Sequence, residues 1–400
     1  MMLEKKYLVT GETFADKDKF SDSSTNLSDD EINDKYKRGE IRIVTEQARY
    51  PLDSIETMLD SKKYILNPEY QRRKRWDNTR KSRLIESFIM NVPIPPVFLY
   101  EIDYSVYEVM DGLQRLTAIY DFYKSKYKLE GLEYWQELNG RDYKHLPDQI
   151  QKGVDRRYLS SIILLQETAK SSEEADTLKQ IVFERLNSGG EKLTPQETRN
   201  ALHNGKFNQL CIRLAKNDLF RQMWKLPLES EGEEKLLESE SYRKMEDVEL
   251  VLRFFAYRHI EQFKFSVDKF LDSYLKQANN YPDSTIDELE IIFNETIDIV
   301  YGIFKKSAFI PPKVTRDRKT PLKIIYDPMM QVFARNLSNK YKILSKIDLI
   351  KEDIYSDKSM KLLYSNKEEN RPFFEGRYNG KRDIQARIDY FQDFLNTCIF

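Results

Sequence analysis

Five residues, Asp111-Gly112-Leu113-Gln114-Arg115, constrain this chain more than any others, because a strand, a turn and a helix meet on them. Upstream, Val106-Tyr107-Glu108-Val109-Met110 has the pattern of a short strand, and downstream Leu116, Ile119, Tyr120 and Tyr123 recur at helical spacing. Glycine at the junction lets the backbone turn sharply or approach a ligand closely. The first amides of such a helix lack intrahelical acceptors and carry partial positive charge, which makes them a ready anion site. Asp111 and Arg115 stand four apart and share a helical face, with Gln114 beside them. An acid, an amide and a guanidinium at a helix start suit a phosphate and its metal. The same spacing also fits an Asp N-cap followed by an intrahelical Asp–Arg pair, and spacing alone leaves both open.

The chain has 400 residues, long enough for about two to three domains or one helical array. With 25 Tyr and 22 Phe it can bury a sizeable core. A third of the residues are charged but the net charge is −1, so contact with nucleic acid would need a local basic patch. Two distant cysteines, Cys211 and Cys398, exclude a disulfide framework and a thiolate metal cage. No secretory signal or long apolar run is present, so a soluble cytoplasmic chain with no membrane contact is expected.

Residues 1–40 are polar and rich in Asp, Ser and Lys, the composition of a mobile arm. Order is expected to begin with a strand at Ile41-Arg42-Ile43-Val44, after which Pro51 opens a helix through Ile55, Met58 and Leu59. Tyr64-Ile65-Leu66 is extended, and Asp77-Asn78-Thr79 caps a helix with Leu84, Ile85, Phe88 and Ile89 on its apolar face. Val97–Glu101 and Val106–Met110 form a hairpin, and Ile162–Leu165 is a last strand. From Glu173 onward the apolar spacing is helical, interrupted by the acidic run Glu229–Glu240, a linker or solvated loop. The fold class is therefore α+β, a small mixed unit followed by a larger all-helical region.

Two more segments carry chemistry. Tyr70-Gln71-Arg72-Arg73-Lys74-Arg75-Trp76 places four cations between aromatics on a loop. Arginine forks suit phosphate oxygens, and an aromatic ring can stack on a base. Equally, Tyr70 and Trp76 can anchor the loop while the cations are solvated. In Phe183-Glu184-Arg185-Leu186-Asn187-Ser188-Gly189-Gly190, Phe183 and Leu186 are core positions and Asn187 ends the helix at a glycine turn. Thr194 and Glu197 then form a capping box around Pro195.

Together these segments resemble a known domain. Tyr70-Gln71-Arg72 with Trp76, Pro93-Ile94-Pro95-Pro96 before a strand, Asp111-Gly112-Leu113-Gln114-Arg115-Leu116-Thr117, and Phe183 with Asn187 stand in the order of the N-terminal domain of GmrSD-type restriction endonucleases. The resemblance runs from about Ile41 to His203, and Phe374-Glu375-Gly376-Arg377 with Arg387-Ile388 is similar in style to the closing helices of short family members. It implies a fold related to ParB and sulfiredoxin over residues 41–170, followed by a helical region over 171–400 with a sub-boundary near 229–240. It also implies a nucleoside triphosphate site whose hydrolysis controls a nuclease. By that resemblance Asp111, Gln114 and Arg115 are the catalytic candidates, and Asp111 is the Mg²⁺ ligand. Gln71, Arg72, Gly112, Thr117 and Asn187 bind the nucleotide. Leu113 departs from the family, where this position is commonly polar.

Long family members carry an HNH nuclease, but His145, His203 and His259 are too scattered for its metal centre. The resemblance then implies a separately encoded nuclease as effector, and the chain is expected to be a nucleotide-binding and nucleotide-hydrolysing regulator or sensor of a prokaryotic anti-phage restriction or toxin–antitoxin type system, with an oligomer compatible with that role. Two alternatives stay open. Arg253-Phe254-Phe255-Ala256-Tyr257-Arg258-His259 resembles the Arg-x(4–6)-His signature of HEPN ribonucleases, although Phe254 stands where those enzymes usually have a polar residue. Arg73 and Arg75 could instead contact DNA in a binding module without hydrolysis.

Overall fold

A computed structural model describes residues 7–15, 27–38, 43–66, 76–165, 172–186, 193–264, 266–310, 320–353 and 380–399. The chain forms two compact units, one from Ser21 to Glu197 and one from Met1–Phe20 together with Thr198–Phe400.

The first unit is built on five strands: β1 (Thr45–Pro51), β2 (Tyr64–Ile65), β3 (Val97–Asp103), β4 (Val106–Asp111) and β5 (Tyr158–Leu164). Their order is β1-β5-β3-β4-β2. The β1–β5 and β3–β4 pairs are antiparallel, whereas β3–β5 and β2–β4 are parallel. The expected hairpin is β3–β4, and Ser105 adopts φ +58° in its two-residue turn. β1 and β2 are opposite edges of the sheet, yet Tyr64 donates its hydroxyl hydrogen to Tyr50 Oη at 3.3 Å and their rings lie 6.2 Å apart. The sheet therefore curls until its edges meet through these two tyrosines.

The helices of this unit are α1 (Asp29–Arg38), α2 (Ile55–Asp60), α3 (Asn78–Ile89), α4 (Leu113–Tyr123), α5 (Asp148–Asp155) and α6 (Ser172–Leu186). Val97, Leu99, Val109, Leu159 and Ile163 from alternate strand positions meet Ile55, Leu116 and Ile119 in one apolar core. Asp77 caps α3 as expected, its Oδ1 accepting from the Arg80 amide at 2.7 Å. Thr194 and Glu197 form the expected capping box at the start of α7 (Pro195–Leu202), the helix in which the division between the units falls. The α+β class thus holds, with a mixed five-stranded sheet followed by a helical region.

Several local expectations need correction. The first strand begins at Thr45, beyond the apolar Ile43-Val44, because β1 is an edge strand that buries only alternate residues such as Ala48 and Tyr50. Pro51 ends that strand instead of opening a helix, and a 3₁₀ turn at Leu52–Ser54 precedes α2. α6 packs against β4, so it belongs with the sheet.

The second unit contains α8 (Lys206–Leu214), α9 (Asp218–Trp224), α10 (Glu233–Glu238), α11 (Glu240–Arg243), α12 (Glu246–Tyr257), α13 (Val267–Ala278), α14 (Asp283–Phe304), α15 (Lys323–Arg335), α16 (Lys340–Ser345), α17 (Ile347–Asp353) and α18 (Lys381–Ile399). The acidic run read as a linker or solvated loop folds as a 3₁₀ turn and α10 inside this unit, with Leu236 buried and Glu229 paired to Arg221. α12 is buried almost all round, which makes it the central helix, and it contacts α8, α13 and α15.

Residues 7–15, within the segment read as an arm, lie in this helical unit. Glu12 and Phe14 are buried, and Arg258 donates from Nε and Nη2 to the two Glu12 carboxylate oxygens at 2.7 and 2.8 Å. Burial pushes the Glu12 carboxyl up, but the Arg258 bonds and charge and the nearby His259 outweigh it and hold the group at about 2, below its ordinary 4.5. A depressed carboxylate stabilises the fold above the unfolded value, and that contribution disappears as pH falls through the folded one. The helical unit should therefore lose about 3 kcal/mol between pH 4.5 and 2. Acid titration of the Glu12→Gln variant, followed by circular dichroism, should show a flatter dependence over that window.

Candidate functional site

Asp111 is the last residue of β4 and pairs with Phe98 in the hairpin. Gly112 follows at φ +94°, ψ 10° and caps α4 without a side chain. A Cβ there would run into Val97 Cγ1 on β3 and lie 2.9 Å from Arg115 Nη2. Both the left-handed backbone and the space require glycine. The Gly112 carbonyl accepts the first helical bond, from the Leu116 amide at 3.0 Å. Among the described residues nothing accepts from the amides of Leu113, Gln114 and Arg115, so the start of α4 is uncapped.

Arg115 Nη2 donates to Asp111 Oδ2 at 2.8 Å and to the Pro96 carbonyl at 3.2 Å. The Asp–Arg pair that spacing allowed is thus present, with Gly112 as the cap in place of Asp111. Arg115 Nε is buried without a partner, and Nη1 makes no bond to the described residues. Asp111 is 44% exposed, and among the described residues its Oδ1 accepts no hydrogen bond. The pair is therefore unequal, a largely buried guanidinium (16% exposed) facing a carboxylate open to solvent.

Gln114 Oε1 accepts from the Trp76 amide at 3.0 Å, which ties the end of the cationic loop to the first turn of α4. Its Nε2 makes no hydrogen bond among the described residues. Trp76 is part of the core periphery, and Arg80 stacks 4.7 Å from its ring. Trp76 is thus the anchor that one of the two sequence readings expected. Thr117 follows Gln114 by three residues on the same side of α4, half-buried. Leu113 is buried in the core, so an apolar side chain suits this departure from the family pattern.

The structure brings together Asp111, Gly112, Gln114, Arg115 and Thr117. Gln71, Arg72, Arg73, Arg75, Asn187 and Phe374–Arg377 lie outside the described residues. Helix α6, which ends one residue before Asn187, is fixed to β4 by an ion pair between Lys179 Nζ and Glu108 Oε2, and its Phe183 is buried. Spacing could not show this contact, because Lys179 and Glu108 are 71 residues apart.

Residues 55–204 match the family model described as GmrSD restriction endonuclease, N-terminal domain. This chain carries a GmrSD-type domain. The matched span holds the whole strand-turn-helix and α6, in agreement with the resemblance read from the motifs. No curated protein and no solved structure matches the chain.

Elsewhere the geometry opposes the ribonuclease alternative. Arg253 is buried and bound through Nε and Nη2 to Asp327, while the buried His259 lies beside Glu12. An Arg–His ribonuclease centre must present both groups to an RNA backbone, and here each faces a separate carboxylate in the interior. Among the described residues no group of three His, Cys, Asp or Glu side chains is placed to hold a metal, and no helix is long and apolar enough to cross a membrane.

The Gly112→Ala substitution should destabilise the GmrSD-type domain by about 1–3 kcal/mol, from backbone strain and the clash with Val97. Urea unfolding of the full chain should show that loss in one transition; an unchanged profile would contradict the assigned backbone.

Proposed function

We propose that the GmrSD-type domain binds a nucleoside triphosphate with its phosphates at the uncapped start of α4. The chain then acts as the regulatory or sensor component of a restriction or toxin–antitoxin type system whose nuclease is a separately encoded effector. The observation that carries this reading is the α4 N-terminus inside the matched span, with three amides that have no acceptor among the described residues beside a guanidinium nitrogen and a side-chain amide.

A phosphate at this position meets the amides of residues 113–115, Arg115 Nη1 and Gln114 Nε2, all donors. It also meets the Asp111 carboxylate, so the charges balance only with a cation between them. Mg²⁺ fits that need: the Asp111 carboxylate would hold the ion, which would supply the positive charge that a bound phosphate requires. When bound, the ion neutralises phosphate charge. Of the chain's own groups, Arg115 opposes the negative charge that develops during hydrolysis, Gln114 orients the phosphate or the attacking water, and Thr117 extends the same face. Gln71, Arg72 and Asn187 complete the site in this reading.

Arg115→Ala should weaken nucleotide binding by roughly ten- to a hundredfold, the effect of losing a charge-assisted contact. Arg115→Lys should fall between, since it keeps charge without the fork. Isothermal titration with ATP and GTP would measure this, and unchanged affinity in a folded Arg115→Ala chain rejects the site. Asp111→Asn should reduce Mg²⁺-dependent hydrolysis more than metal-free binding, read as phosphate release against titration in EDTA.

A further inference from the structure

Residues 7–15 sit in the helical unit in a way that differs from its helices. They form no regular helix or strand, and in sequence they are separated from the rest of that unit by the whole of Ser21–Glu197. Their main chain is read by side chains. Thr285 Oγ1 donates to the Thr10 carbonyl at 2.8 Å, and the Tyr281 hydroxyl donates to the Thr13 carbonyl at 2.9 Å. Gln277 accepts from the Ala15 amide at 3.2 Å and donates to the Ala15 carbonyl at 2.9 Å. Arg258 Nη2 donates to the Tyr7 carbonyl at 2.6 Å, and the Tyr7 hydroxyl donates back to the Arg258 carbonyl at 3.1 Å.

The side chains of the segment fill matched pockets. Glu12 meets the Arg258 fork, with His259 Nε2 3.2 Å away. Phe14 packs edge-on against His259, Phe270 and Tyr274. The Tyr7 ring lies 4.6 Å from the Arg335 guanidinium. Gly11 adopts φ +83°, and a Cβ there would be 2.5 Å from Thr285 Oγ1, so the backbone approaches α14 as closely as it can. The segment turns at Val9–Glu12, where the Glu12 amide donates to the Val9 carbonyl at 3.1 Å, and beyond that turn main-chain capture alternates with side-chain pockets, as in a groove that recognises a peptide.

We propose that the helical unit carries a peptide-recognition groove, formed by the end of α12, α13, the start of α14 and the end of α15, whose ligand is this chain's own residues 7–15 held as an intramolecular latch. The chemistry it selects is a carboxylate followed two residues later by an aromatic ring, with an upstream aromatic over Arg335. Arg258 fixes the register, because a buried guanidinium requires a carboxylate opposite it. A partner segment of the same chemistry would compete for the groove, and its binding would release the latch. This inference is independent of the nucleotide reading.

The test uses the full chain with a protease site inserted between Phe20 and Ser21. After cleavage, a fluorescein-labelled peptide of residues 5–16 should exchange into the groove, giving a saturable rise in anisotropy. The same peptide with Glu12→Gln should bind at least about tenfold more weakly. The uncleaved chain should bind the labelled peptide poorly because the latch occupies the groove, and the uncleaved Phe14→Ala chain should bind it better. Loss of fold on cleavage would overturn the proposal, since the segment would then be an integral part of the unit's core. So would equal binding of the Gln peptide, or absence of binding to a cleaved chain that stays folded.

Discussion

The close approach of Gly112 to Val97 and Arg115 is the constraint on which the candidate site depends. A left-handed residue lets β4 pass into α4 with no intervening loop, so the strand end and the helix start are fixed by one backbone position. The missing Cβ leaves space for the Arg115 guanidinium beside strand β3, where it bonds the Pro96 carbonyl as well as Asp111. The cap offers no side chain, and among the described residues nothing accepts from the first amides of α4. Position 113 then faces the core, which accounts for leucine at a place where a polar residue is common in the family.

Around that junction the domain is held by contacts that join distant parts of the chain. Gln114 takes the Trp76 amide, and Lys179 takes Glu108. Each links a segment named in the motif order to the strand-turn-helix. Glu86 does similar work at the other end of α3, where its carboxylate accepts from the amides of Glu133, Tyr134 and Trp135 and fixes the loop after α4. The Lys179 and Glu86 bonds are charge-assisted and lie in largely buried surroundings, stronger than neutral ones and specific in geometry, whereas the Gln114 bond joins two neutral groups.

The helical unit solves a different problem, the burial of arginines. Arg199 is met by Glu249, Asp268 and Asp272, Arg253 by Asp327 and Arg258 by Glu12. Removing one partner of such a pair strands a buried charge, which costs about 3–5 kcal/mol. Such pairs define which helices meet and in what register. They also turn the Arg and His that resemble a ribonuclease signature into internal struts.

By itself the sequence determined the local elements and their chemistry. The hairpin of Val97–Glu101 and Val106–Met110, the Asp77 cap, the Thr194–Glu197 box and the glycine at 112 are set by near neighbours, and each holds in the structure. The order of motifs also identified the GmrSD-type domain. Edges were less legible: β1 lies in polar residues because one face of an edge strand is solvated, and the acidic run 229–240 folds because Leu236 finds a core that composition does not reveal. Only tertiary structure decided the contacts across long sequence distances. The Tyr50–Tyr64 closure depends on sheet curl, the α6–β4 pair on residues 71 apart, and the fit of residues 7–15 on helices more than 240 residues downstream. Periodicity reports which face of an element is apolar, but a buried charge and its partner share no period, so their meeting is a property of the folded chain alone.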